Sequence, residues 1–268
     1  MIEQTVGFIG AGQMAQALAK GFVRAGLLKG EQVVAYDPVP EASRRFAAEI
    51  AGAKVASDNG AVARQAQVVF LAVKPQSLPA VMTDLAGKLD AARLVVSILA
   101  GVSIRRLAEG LKTTRVVRVM PNTPCLVGQG ASAYARGAGA AVEDGQLVSR
   151  LLAAVGLAYE VEEKLLDAVT GLSGSGPAFA YLLIEALSDG GVRMGLPRNL
   201  ATSLAAQTMR GAAEMVLQGE HPAVLRDRVT SPGGTTIAGL QALEDRGVRG
   251  AMIAAVEAAA RRSEELGK

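Results

Sequence analysis

Short apolar runs alternate with amphipathic stretches from residue 5 to residue 161. Thr5–Ile9, Gln32–Tyr36, Val68–Val73, Leu94–Ile98 and Arg115–Val119 read as strands. Between them, Gln13–Ala25, Glu41–Ile50 and Ser103–Glu109 place apolar residues at helical spacing. Val/Ile-rich runs separated by helices predict βαβ units around a parallel sheet covered on both faces. Ala131–Tyr134 and Leu157–Val161 predict two further strands flanking a helix at Glu143–Val155. After Glu163 the chain reads as helix, punctuated at Gly171–Pro177, Gly195–Pro197, Gly219–Pro222 and Ser231–Gly234. The expected architecture is α/β: a parallel-sheet domain over residues 1–162, then an all-α domain over residues 163–268.

One helix in the second half has no polar face. Pro177 suits a first helical turn, where its missing N–H costs nothing. The residues that follow, Ala178 to Ile184, are apolar all round. Such a helix must be covered on every side. In a domain of about a hundred residues the expectation is that a second subunit covers it, as a homodimer; the plainer alternative is a central helix within one subunit.

Composition narrows the function. Half of the 268 residues are hydrophobic, only 3% are aromatic and Trp is absent, so Ala, Val, Leu and Gly must fill the core. Lys and Arg total 28 against 25 Asp and Glu, a net charge of +3. No basic block is interleaved with aromatics, which argues against nucleic acid as a partner. A lone Cys125 and a lone His221 exclude an internal disulfide and a multi-histidine or Cys-cluster metal site. No apolar run approaches the roughly 18 residues of a membrane span, and no basic, apolar leader opens the chain. The expectation is a cytoplasmic protein that binds neither metal nor membrane.

The strongest local signal is Val6-Gly7-Phe8-Ile9-Gly10-Ala11-Gly12-Gln13-Met14-Ala15. A strand runs into Gly10-x-Gly12-x-x-Ala15 and a helix follows, which is the dinucleotide fingerprint in its Ala-ended form. Gly10 allows the tight turn, Gly12 lets backbone approach the pyrophosphate, and Ala15 keeps helix and strand close. The first domain is therefore expected to be of Rossmann type. The second strand ends at Asp37, where an acid bonds the adenosine ribose hydroxyls and repels a 2′-phosphate. Arg44 and Arg45 are the competing phosphate partners, or else solvent-facing charges. Two more loops follow strand ends: Ala72-Val73-Lys74-Pro75, and Pro121-Asn122-Thr123-Pro124. Lys74 is a candidate for cofactor phosphate or ribose, and Asn122 for the crevice edge.

Two glycine-rich segments open helices in the second half, Thr170–Pro177 and Thr230–Thr236. Each offers unpaired backbone N–H groups and hydroxyls without an acid, which suits a small carboxylate. The simpler reading is capping. His221 before Pro222 reads as a cap, and Cys125 as a small buried side chain.

Taken together, Gly7–Ala15, Ala72–Pro75, Pro121–Pro124, Thr170–Pro177, His221–Pro222 and Ser231–Ile237 make the chain resemble pyrroline-5-carboxylate reductases along essentially its whole length. The resemblance implies a Rossmann domain followed by a helical dimerisation domain, in dimers or rings of dimers with an active site formed between subunits. It implies reduction of the C=N bond of 1-pyrroline-5-carboxylate to L-proline by NADPH or NADH. Cofactor contacts are then expected at Gly10, Ala11, Gly12, Gln13, Met14, Asp37, Asn59, Ala72, Val73, Lys74, Pro75 and Ala100. Substrate contacts are expected at Ser231, Gly234, Thr235, Thr236 and Asn122, with Thr170 as the catalytic residue facing the ring nitrogen. The family commonly carries a small hydroxyl residue where Asp37 stands, which turns the choice between NADPH and NADH on that residue.

Two other readings compete. A 3-hydroxyacid dehydrogenase of related architecture needs a general base. The positions where that family carries Lys and then Asn hold Ala180 and Ile184 here. A cofactor-sensing protein on the same fold explains the Gly10–Ala15 turn but not the Ser231–Thr236 loop.

Overall fold

The structure, a computed structural model, describes residues 1–267. The chain divides into two units: Met1–Ser175 together with the last helical turns from Glu257 onward, and Gly176–Val256.

The first unit is built on one sheet. Its strands are β1 (Val6–Ile9), β2 (Val33–Tyr36), β3 (Lys54–Val55), β4 (Val68–Leu71), β5 (Leu94–Ser97), β6 (Val116–Met120), β7 (Gly130–Arg136) and β8 (Gly156–Glu160). They lie in the order β3-β2-β1-β4-β5-β6-β7-β8. The helices are α1 (Gln13–Arg24), α2 (Pro40–Glu49), α3 (Asn59–Gln65), α4 (Leu78–Leu85), α5 (Ile104–Leu111), α6 (Val142–Ala153) and the single turn α7 (Leu166–Val169). The order reverses between β1 and β4, and a doubly wound sheet opens a ligand crevice there, beyond its strand C-termini.

The sheet is not parallel throughout. β6 and β7 pair antiparallel, and β8 follows β7 in parallel. Only residues 121–129 join β6 to β7, too few for the crossover that a parallel pair requires. The two-residue β3 also went unread in the sequence, because Lys54 and Val55 are exposed and carry no apolar run.

Both faces of the sheet are covered, as the apolar strands require. Phe8, Phe22, Phe46 and Phe70 gather on one face, with the Phe8 and Phe70 rings stacked at 5.0 Å. Four of the chain's five Phe thus concentrate in one cluster, while Val, Leu and Ala fill the opposite face.

At the other end of the sheet, Arg115 holds α6. Its Nε and Nη2 donate to Asp144 Oδ2 and Oδ1 at 2.9 and 2.7 Å, and Ala141 N–H donates to the same carboxylate at 3.0 Å. The Arg115 guanidinium hydrogen bond is the main cause holding the Asp144 carboxyl below its ordinary pKa. A lowered folded-state pKa gives stability that is present above the ordinary carboxylate value and lost as pH falls through the lowered one. Because Arg115 is itself partly solvated, Asp144→Asn is expected to cost about 1–2 kcal/mol at pH 7. In urea melts that gap should begin to narrow as pH falls below the ordinary aspartate pKa and close only below the lowered one.

The second unit is entirely helical: α8 (Gly176–Arg193), α9 (Arg198–Leu217), α10 (Pro222–Arg228), α11 (Thr235–Asp245) and most of α12 (Val248–Gly267). Its only buried residues are Ser188, Ala201 and Ala205. The all-round apolar α8 is not covered within one chain, since Tyr181 is 61% and Leu182 65% exposed.

The two compact units part between Ser175 and Gly176. Residues 163–175 and the end of α12 stay with the sheet because polar ties hold them there. Arg118 Nη2 on β6 donates to Asp167 Oδ1 at 3.1 Å, and Ser263 Oγ donates to the same oxygen at 2.7 Å.

Candidate active site

The chain passes from β1 into α1 through Gly10–Gly12. Gly10 has φ +94°, and a Cβ there would stand 2.6 Å from the Ala72 carbonyl oxygen. That segment cannot move aside, because Ala72 N–H donates to Ile9 O at 2.8 Å. Gly12 differs. Its φ of −71° suits any residue, and a Cβ there would meet nothing within 4 Å. No internal packing demands a glycine at 12; the open space lies at the head of α1, whose first N–H groups favour an anion. The turn therefore fits a dinucleotide pyrophosphate. Ala11 N–H points elsewhere, donating to Asp37 Oδ2 at 2.9 Å, while Val39 N–H donates to Asp37 Oδ1 at 2.9 Å.

Two cavities lie along the C-terminal edge of the sheet, and Val73 borders both. The larger, about 590 Å³, is walled in part by Asp37, Asn59, Lys74 and Asp84. Asn59 is buried, and its Nδ2 donates to Asp84 Oδ2 at 2.9 Å. The smaller, about 260 Å³, is walled by Met14, Ala72, Ile98, Met120, Asn122 and Gly174 among others. Gln13 is exposed at the start of α1, and Pro75 opens the short turn after Lys74. Ala100 lines neither cavity. Its neighbour Gly101 is packed against the end of α12, where a Cβ on Gly267 would reach the Gly101 carbonyl. Arg44 pairs with Glu41 on the exposed side of α2, and neither Arg44 nor Arg45 reaches the larger cavity.

Thr170 begins a π-turn, Thr170–Gly174, directly after α7. Ser175 N–H donates to Thr170 O at 2.8 Å, the i to i+5 bond of that turn. Such bulges recur at functional sites. Thr170 is 9% exposed and its Oγ1 donates to Leu166 O at 2.8 Å, so the oxygen lone pairs remain available to accept. Asn122 ties this turn to the sheet: its Nδ2 donates to Ser173 O at 3.0 Å and its Oδ1 accepts from Ala131 N–H at 2.9 Å. Its amide thus braces the cavity wall and keeps one N–H beyond these two bonds.

In the helical unit, Ser231–Thr236 forms the expected loop. Gly234 N–H donates to Ser231 O at 3.1 Å, Gly234 caps α11, and Thr235 and Thr236 open it. Their N–H groups and that of Ile237 precede the first bond of the helix, Ala238 N to Gly234 O. Ser231 and Thr235 are exposed. His221 is a cap: its Nδ1 accepts from Ala223 N–H at 3.2 Å. Burial pushes the Cys125 thiol pKa up, which makes it a poor nucleophile. No metal-ligating cluster occurs among the described residues. Nor is any helix there long and apolar enough to cross a membrane.

A family model described as pyrroline-5-carboxylate reductase dimerisation matches residues 163–266. One described as NADP oxidoreductase coenzyme F420-dependent matches residues 5–101. A pyrroline-5-carboxylate reductase of Pisum sativum is 51% identical over 263 residues, covering 98% of this chain and 96% of that protein. The chain belongs to the pyrroline-5-carboxylate reductase family. Among solved structures, the pyrroline carboxylate reductase of Plasmodium falciparum with NADP bound superposes at a TM-score of 0.90 with 35% identity, covering all of both chains. The enzyme of Coxiella burnetii superposes at 0.92 with 33% identity and the same coverage. Membership makes this an NAD(P)-dependent oxidoreductase with a Rossmann-like sheet domain and a helical dimerisation domain. The 3-hydroxyacid dehydrogenase reading is set aside: α8 carries Ala180 and Ile184 and offers no base at those positions.

Residue-by-residue reading missed Arg118, Asp84 and Met120. Arg118 did leave a signal, as the one charge inside the apolar run Val116–Met120. A charge in such a run must find buried partners. Asp84 left none, because its partner Asn59 is 25 residues away in the chain.

Proposed function

We propose that this chain reduces the C=N bond of 1-pyrroline-5-carboxylate to give L-proline. The open space over Gly12, in a chain of this family, is the observation that carries the cofactor half of the reading. Gly10–Met14 would hold the pyrophosphate, the cavity at Asp37 and Asn59 the adenosine ribose, and the cavity at Ala72 and Met14 the nicotinamide. The nicotinamide supplies a hydride when bound. The protein's task is then to orient the imine, a positioning function that requires no strong side-chain base. This agrees with a chain whose lone His caps a helix and whose lone Cys is buried.

Thr170 receives the ring nitrogen. Because its hydroxyl proton is committed to Leu166 O, Thr170 accepts from the N–H of the protonated imine and fixes its tilt, rather than donating the proton. The head of α11, with Thr235 and Thr236, offers N–H groups and hydroxyls suited to a small carboxylate. A hydrogen bond to a charged group is worth about 1.5–3 kcal/mol, so Thr170→Val should lower kcat roughly 10- to 100-fold. Calorimetric NADH affinity should stay within about twofold, and Thr170→Ser should restore most of the rate. Full turnover in Thr170→Val would remove the assignment.

The same reading includes self-association, as a dimer or a ring of dimers. With only Ser188, Ala201 and Ala205 buried in the helical unit, and Leu187, Leu204 and Ile253 more than half exposed, that unit has no core of its own. Apolar surface on this scale is what a second copy covers. A cytoplasmic location belongs to this proposal too.

A further inference from the structure

Resting on the cofactor placement just proposed, we infer that Asp84 is a second selector of the cofactor, acting with Asp37 to favour NADH over NADPH. Three charged groups wall the larger cavity: Asp37 after β2, Asp84 from α4 and Lys74 after β4. Two carboxylates against one ammonium leave a net charge of −1 (1 − 2). None of the three is in an ion pair among the described residues. Asn59 is buried at the head of α3, and one of its two amide N–H groups is directed to Asp84 Oδ2 at 2.9 Å. One of the two amide donors best placed to meet an anion is therefore held by an acid.

A ribose diol brings two O–H donors, and carboxylates accept them. A 2′-phosphate brings only acceptors and charge of the same sign, which this wall opposes twice. Arg44 and Arg45 of α2 are not part of the wall. Asp84 is also a cleaner selector than Asp37. The Asp37 carboxylate ties down Ala11 N–H in the glycine turn, so changing it disturbs the pyrophosphate cradle as well, whereas Asp84 bonds only to Asn59.

The experiment is calorimetric titration of the full-length chain with NADH and with NADPH, for the native protein, Asp84→Asn, Asp84→Ser and Asp37→Ser, with kcat/KM for both cofactors alongside. The native protein is expected to bind NADH at least about 10-fold more tightly than NADPH. Removing one like charge should shrink that ratio about 10-fold in either Asp84 variant, chiefly through tighter NADPH binding. The Asp84→Ser variant decides the matter if Asp84→Asn does not fold. A ratio within twofold of native in the folded Asp84 variants overturns the inference while Asp37→Ser still shifts it. If Asp37→Ser leaves the ratio unmoved too, the cofactor placement itself falls. A native protein that binds NADPH more tightly than NADH also overturns the inference.

Discussion

Gly12→Ala is expected to leave the thermal midpoint unchanged and to weaken NADH binding about 100-fold. A Cβ at Gly12 meets no protein atom within 4 Å, and φ of −71° is ordinary for alanine, so folding has nothing to lose. The methyl would instead fill the space where backbone must approach a pyrophosphate. The neighbouring Gly10→Ala should fail differently. Its φ of +94° is strained for any L residue, and its Cβ would press on the Ala72 carbonyl at 2.6 Å. That clash sits where Ala72 N–H closes the β1–β4 pair. Left-handed strain alone costs about 1–3 kcal/mol, so Gly10→Ala should lower the midpoint as well as abolish binding. Calorimetry paired with thermal melts separates the two. Tight NADH binding by Gly12→Ala would mean that the cofactor does not cross this turn.

The second large effect is expected from Arg118→Met. Arg118 is 6% exposed between Glu163 and Asp167, and Asp167 also accepts from Ser263 of α12. Glu163 Oε1 in turn accepts from Ile104 N–H at the head of α5. Methionine roughly matches the volume but leaves two carboxylates, four residues apart in the chain, without the cation they share. Breaking a buried pair costs about 3–5 kcal/mol; Glu163, 34% exposed, is partly rescued by water, which favours the lower figure. For a chain of this length about 3 kcal/mol corresponds to a midpoint roughly 6–12 °C lower. Activity should fall as well, because Asp167 lies in α7, one turn ahead of Thr170. We expect kcat to drop about 10-fold with NADH affinity little changed, since none of these residues lines the larger cavity. Arg118→Lys, which keeps one charge without the two-pronged reach, should recover part of both losses. A purely structural role would lower the midpoint without moving kcat at a temperature where the variant is fully folded.

The elements along the sheet were legible because periodicity is a local property. Runs such as Val68–Leu71 must be buried on both faces, and only helices returning over the sheet can cover them. The glycine turn was legible for the same reason, since strand, Gly10, Gly12 and helix are contiguous. The antiparallel β7 could have been inferred from its short connection but was not, because strand direction leaves no mark on composition. Of the candidate site, Asp37 was found for its place after β2, yet its bond to Ala11 N–H joins residues 26 apart and had no local trace.

What the sequence alone determined, then, was what a window of ten to twenty residues can encode: which apolar runs are strand, which amphipathic stretches are helix, where the glycine turn lies, and that α8 has no polar face. Tertiary structure decided which distant polar groups find each other. Asn59 directs one amide N–H to Asp84, Thr170 directs its hydroxyl proton to Leu166, and Arg118 draws Asp167 and Ser263 to the sheet edge. The reason is physical. Apolar burial is non-directional and follows from pattern, whereas a hydrogen bond needs two atoms within about 3 Å, a separation set only when the chain has closed on itself.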